Sequence, residues 1–136
     1  VDATKVDVLS SIREMTSGRG VDCAVEAAGK RQTMEAAFQS VRDAGGLCVL
    51  AGNLPQGEMI SIDPMNLIKG KRIVGTWGGE SLPDRDIPLF VDMYRAGRLQ
   101  LASLIAQEYP LNGINQAFAD LRSGLNGRAL ISMAQR

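Results

Sequence analysis

The run Leu47-Cys48-Val49-Leu50-Ala51 has no polar face. A strand that is apolar on both sides belongs in a parallel sheet covered by helices above and below, where both faces leave water. Gly45-Gly46 before it and Gly52 after it hold the run to strand length. The neighbouring segments change period. Met34, Ala37, Phe38 and Val41 fall at i, i+3, i+4 and i+7, one face of a helix. Val8, Leu9, Ile12 and Met15 predict an earlier helix, stopped at Ser17-Gly18-Arg19-Gly20. Residues 21–26 and 71–76 predict two further strands. Helices and strands alternating in this order dictate parallel strands joined by crossovers, an α/β fold.

Between the second and third strands lies a short alternating run, Met59-Ile60-Ser61-Ile62. Asp63-Pro64 then predicts a brief helix, with aspartate as N-cap and proline at the first helical position. Further on, Ile87, Phe90, Val91 and Tyr94 mark a helix over residues 85–96. Ile114, Ala117, Phe118 and Leu121 mark another over residues 112–122. Residues 129–133 predict a terminal strand.

Composition removes several kinds of chemistry. The formal net charge is zero, which speaks against nucleic acid or an anionic membrane surface as partner. The apolar runs are far too short to span a bilayer, and the first residues show no signal-peptide pattern. A cytoplasmic location is the expectation. There is no histidine, so no imidazole-based triad arises from this chain alone. Cys23 and Cys48 sit inside apolar runs without C-x-x-C spacing, and both are expected to be packed, reduced core thiols.

In open parallel sheets, ligands bind beyond the carboxyl ends of the strands. Three of the predicted strands end in small or glycine residues there: Ala27-Ala28-Gly29, Ala51-Gly52 and Thr76-Trp77-Gly78. Two readings stand. Tight turns need glycine for their own geometry, whereas a flat ligand needs the backbone left bare. Glu26, closing the first strand, is expected to make a polar contact to a neighbouring loop and is assigned no catalytic role.

Four stretches in order carry a family likeness: GRGVDCAVEAAG, DAGGLCVLAG, DPMNLIKGKRIVGTWGG and YPLNGINQAFADLRSGLNGRALI. Together they span nearly the whole chain, which resembles the C-terminal portion of medium-chain, zinc-dependent alcohol dehydrogenases. The resemblance implies a partial Rossmann-like fold: the second, nicotinamide-side half of a doubly wound parallel sheet, with a C-terminal helix and strand of the catalytic domain. Residues 1–79 would be the half dinucleotide-binding domain, and residues 80–136 the segment that packs on a catalytic domain. The implied activity is hydride transfer between an alcohol, or its carbonyl product, and NAD or NADP, with zinc polarising the substrate oxygen.

Position by position, the resemblance places Ala27, Ala28, Gly29 and Lys30 beside the riboses. Ala51, Gly52 and Asn53 fall beside the nicotinamide and its ribose, and Thr76, Trp77 and Gly78 beside the carboxamide. The loop carrying Trp77 and Gly78 is one residue shorter than in the family. Arg128 matches an arginine on the pyrophosphate, whose donor fork suits phosphate oxygens. Alternative readings stand for three of these: a solvated arginine at Arg128, a solvent-facing charge at Lys30, a packing aromatic at Trp77.

No G-x-G-x-x-G follows a first strand, and no residue matches the family's zinc ligands. The chain is therefore expected to be part of a larger enzyme, inactive alone, with catalytic and metal-binding residues supplied elsewhere. A zinc-free quinone or enoyl reductase relative, or a non-catalytic nucleotide-binding fragment, are the competing readings. An exposed sheet edge invites self-association. A homo-oligomer is expected through the edge near Met59 to Ile62 and Ile73 to Thr76.

Overall fold

The computed structural model describes residues 1–125 and 127–133. The chain divides into two units, Val1–Ser81 and Leu82–Arg136. The last three residues of the 80–136 segment expected from sequence lie outside the described residues.

The first unit opens with helix α1, Val8–Met15. The Asp7 carboxylate caps it by accepting the Ser10 N–H at 2.8 Å, which satisfies one orphan donor of the first turn. Gly18 ends it at φ 81°, donating its N–H to the Arg13 carbonyl at 2.7 Å. Strand β1, Cys23–Glu26, is followed by helix α2, Arg31–Ser40, and strand β2, Leu47–Leu50. The short helix α3, Pro64–Ile68, starts on Asp63, whose side chain accepts the Met65 N–H at 2.9 Å. Strand β3, Arg72–Gly75, completes a three-stranded sheet in the order β1-β2-β3. Both pairings are parallel, with Glu26 opposite Leu50 and Leu50 opposite Gly75.

Side chains alternate across such strands. Ala24, Cys48 and Ile73 stand in register on one face. There they pack with Phe38 and Val41, and Phe38, Val41 and Cys48 are fully buried. The other face is different. Val25 is 67% exposed, and Val74 is also exposed. The expected cover on both faces of the sheet is therefore present on one. Cys23 shares the open face with Val25 and is exposed, so only Cys48 is the packed core thiol that the sequence suggested for both.

The second unit begins with helix α4, Pro83–Arg95. Asp86 is buried and reaches back to accept the Leu82 N–H at 2.8 Å. Strand β4, Gln107–Pro110, lies parallel to β5, Ala129–Ser132, with Tyr109 opposite Ile131. Helix α5, Ile114–Arg122, links them. It buries Ala117, and its Asp120 accepts the Tyr109 hydroxyl at 2.7 Å. Phe90 on α4 and Phe118 on α5 are about half exposed.

Two outcomes test this core. Replacing Phe38 by Ala removes a fully enclosed ring and is expected to cost about 3–5 kcal/mol in urea unfolding. The two thiols should separate kinetically in the folded 136-residue chain, because the thiolate is the reactive form. Burial pushes the Cys48 thiol up, with smaller contributions from the Cys23 and Glu26 charges. An aromatic disulfide reagent should label Cys23 rapidly and Cys48 only on unfolding, and Cys23→Ser should abolish the rapid phase.

Candidate functional site

The carboxyl edge of the sheet is built by bonds that run past the last paired residues. The Glu26 carbonyl accepts the N–H of Ala51 at 2.7 Å and of Gly52 at 3.0 Å, and the Leu50 carbonyl accepts the Thr76 N–H at 3.0 Å. Residues 27–30, 51–53 and 76–78 therefore leave three adjacent parallel strands at the same edge. This is the placement the sequence pattern anticipates for ten of the eleven candidate residues.

Glu26 organises the first of these loops. It is only 4% exposed. Its Oε1 accepts the Ala28 N–H at 2.8 Å, the Gly29 N–H at 2.9 Å and the Thr33 hydroxyl at 2.6 Å. Charged acceptors make the stronger hydrogen bonds, so this oxygen fixes the turn into α2. The sequence suggested a polar loop contact at Glu26. It did not reveal Thr33, for which a hydroxyl in the first turn of a helix is the only signal.

The second loop lies directly on the first. A Cβ on Gly29, which adopts φ 69°, would stand 2.5 Å from the Asn53 carbonyl oxygen. A Cβ on Gly52 would stand 2.3 Å from the Gly29 nitrogen and 2.6 Å from Glu26 Oε2. Both distances are far inside van der Waals contact, so these two glycines are required by protein packed against protein. Ala27, Ala28, Ala51 and Asn53 are exposed, as are Lys30 and Gly78, while Thr76 is half-buried. Trp77 is 85% exposed. It precedes a short 3-10 turn over Gly78–Glu80.

Arg128 belongs to the second unit, at the start of β5. Its side chain is exposed and its carbonyl accepts the Ala106 N–H at 3.0 Å. With Ile114, Phe118 and Leu121 it lines a groove of about 250 Å³.

A basic concavity of about 620 Å³, lined by Arg13, Arg19, Lys69 and Lys71, lies at the opposite edge, among the segments that lead into the strands. There burial pushes the Lys71 ammonium down, and its Nζ donates to the Gln39 carbonyl at 2.8 Å. Among the described residues no three His, Cys, Asp or Glu side chains group as metal ligands. The donor set of the described residues does not fit a zinc ion. The exposed alanines at the carboxyl edge leave backbone bare over several residues.

Residues 1–95 match the family model of the zinc-binding dehydrogenases. Alcohol dehydrogenase 1 of Pisum sativum is 37% identical over 124 residues, 91% of this chain and 32% of that protein. The chain thus spans about a third of the length of the curated relatives it matches. The structure of benzyl alcohol dehydrogenase from Acinetobacter calcoaceticus superposes with a TM-score of 0.84 at 27% identity, covering 97% of this chain and 36% of that one. A structure described as a zinc-binding dehydrogenase from Sinorhizobium meliloti 1021 bound to NADP gives 0.79 at 25% identity, covering 96% and 38%. By its matched residues and its fold, this chain belongs to the zinc-binding dehydrogenase family.

Proposed function

We propose that the chain supplies the nicotinamide-side part of the coenzyme site of an alcohol dehydrogenase, with zinc held by residues outside it. The observation that supports this best is the delivery of three small-residue loops to one sheet edge by in-register parallel strands. Parallel sheets bind ligands at that edge because their loops diverge there and expose backbone groups. Ala27, Ala28, Gly29 and Lys30 would flank the riboses, and Ala51, Gly52 and Asn53 the nicotinamide side. Thr76, Trp77 and Gly78 would meet the carboxamide, and Arg128 would neutralise pyrophosphate charge. A bound dinucleotide supplies the ring that accepts or returns the hydride. This chain's part is to bind and orient it, and the chain is inactive alone. The partner substrate would be a small alcohol or carbonyl compound, with NAD or NADP as coenzyme.

The relatives' names support the reaction class: plant alcohol dehydrogenases, a benzyl alcohol dehydrogenase and an NADP-bound neighbour. No helix among the described residues is long and apolar enough to cross a membrane, and the proposed setting is the cytoplasm. β3 is an outer strand of its sheet, and Met59 is exposed. That edge is the proposed contact with a second copy.

Titration with NADH and NADPH, followed by the emission of the reduced coenzyme, tests the reading. The complete protein should bind one of them in the micromolar range typical of coenzyme and substrate sites. The 136-residue chain should bind at least about 100-fold more weakly and show no turnover, since the missing contacts carry several kcal/mol. Micromolar binding by the short chain would favour a self-sufficient binding module instead. In sedimentation the complete protein should run as a dimer or larger; a monomer at high concentration would remove the proposed edge contact.

A further inference from the structure

We infer that Glu26 is a positioning residue for the coenzyme: its carboxylate sets the loop after β1 against the loop after β2, on the surface proposed to carry the dinucleotide. The inference rests on that coenzyme reading. It starts from an asymmetry in the carboxylate. Oε1 accepts the Ala28 and Gly29 N–H groups and the Thr33 hydroxyl. Oε2 is buried and has no hydrogen-bond partner among the described residues. An unmade hydrogen bond in a buried place lowers stability, and such a group calls for an explanation.

Placement supplies one. Two donors to Oε1 are backbone groups of residues in the proposed contact set, so the carboxylate fixes the orientation of their peptide planes. The third donor sits in the first turn of α2 and ties the loop to the helix. The Thr33 hydroxyl lies 2.6 Å from Glu26 Oε1 and 2.8 Å from the Lys30 carbonyl. It has one proton to give, and the charged acceptor takes it. Gly29, held this way, carries the Asn53 carbonyl on its bare α-carbon, while Gly52 closes over Gly29 and Oε2. One side chain thereby orders residues 28, 29, 52 and 53 across two strands. None of these contacts requires the Glu26 side chain to reach the ligand.

Glutamine at this position keeps the shape but loses the charge that strengthens the bonds to Oε1. Its amide N–H groups also press on the Gly29–Gly52 seam. In the complete protein, Glu26→Gln should raise the NADH dissociation constant about tenfold, the scale of losing charge-assisted bonds. Thr33→Val should raise it about threefold, and Thr33→Ser should restore the parent value because the hydroxyl returns. Melting temperatures without coenzyme are recorded for every variant. A purely structural role would lower melting temperature while leaving the dissociation constants level, and that result overturns the inference. Glu26→Gln binding within twofold of a parent that does bind coenzyme overturns it as well. If Glu26→Gln does not fold, the Thr33 pair decides: a weakened valine variant and a restored serine variant support the inference, and a valine variant equal to the parent refutes it. A complete parent protein with no affinity for NADH or NADPH overturns the coenzyme reading, and this inference with it.

Discussion

Parallel registration of Glu26 with Leu50, and of Leu50 with Gly75, brings three loops out of the sheet at one edge. Strands that run the same way cannot be joined by tight hairpins. The chain must return through α2 and through the segment carrying α3, and each return starts at the carboxyl edge. The ladder continues beyond the last paired residues, through the N–H groups of Ala51, Gly52 and Thr76. Those bonds fix the first peptide of the second and third loops. The Glu26 carboxylate does the same for the first loop, by side chain instead of main chain. Edge geometry is thus a property of the sheet before any ligand is considered.

The packing that supports this sheet is one-sided. Phe38, Val41 and Cys48 form its fully buried centre, with Ala24, Ile73 and their neighbours around them. On the opposite face, Val25 and Val74 meet solvent. A unit of this size buries a smaller share of its surface than a large domain and has correspondingly little stability in reserve. Large exposed apolar surfaces mark places where other protein normally sits. The half-exposed rings of Phe90 and Phe118 show the second unit in the same condition. Curated relatives about three times as long as this chain have the material to cover such faces.

Elements with strong periodicity were legible in the sequence. α1 and α2 carry apolar residues at helical spacing and end at glycine or at a change of period, and both form where expected. α3 follows from the Asp63-Pro64 signal alone. β4 was not legible, because Gln107-Glu108-Tyr109-Pro110 has no alternating apolar pattern and ends in proline. It exists through its pairing with β5 and through the Tyr109 hydroxyl on Asp120, a tertiary bond that local propensity does not encode. Cys23 was misjudged for a related reason. An apolar run specifies a strand, but which of its two faces is covered depends on what packs there, and β1 offers Cys23 to the open side. At the candidate site, the common edge could be inferred from strand order. The carboxylate that fastens it could not, since its three donors are set by the turn and not by spacing.

The contact between the two loops changes which small residues bear on ligand binding. Gly29 and Gly52 belong to the small strand ends read from the sequence, yet each is required by backbone within 2.5 Å of where a Cβ would stand. Their smallness would persist in a protein that bound nothing. Ala27, Ala28 and Ala51 are different, because they are exposed. Gly78 is also different: a Cβ there would meet only the Ser81 hydroxyl, at 3.7 Å. Turn geometry still favours glycine at Gly78, which adopts φ 59°. No such conformational demand applies to the alanines. Their small size is thus not explained by the fold itself. Ala27, Ala28 and Ala51 therefore add to the common strand edge that best supports the coenzyme reading, and the glycine seam serves to hold that surface in place.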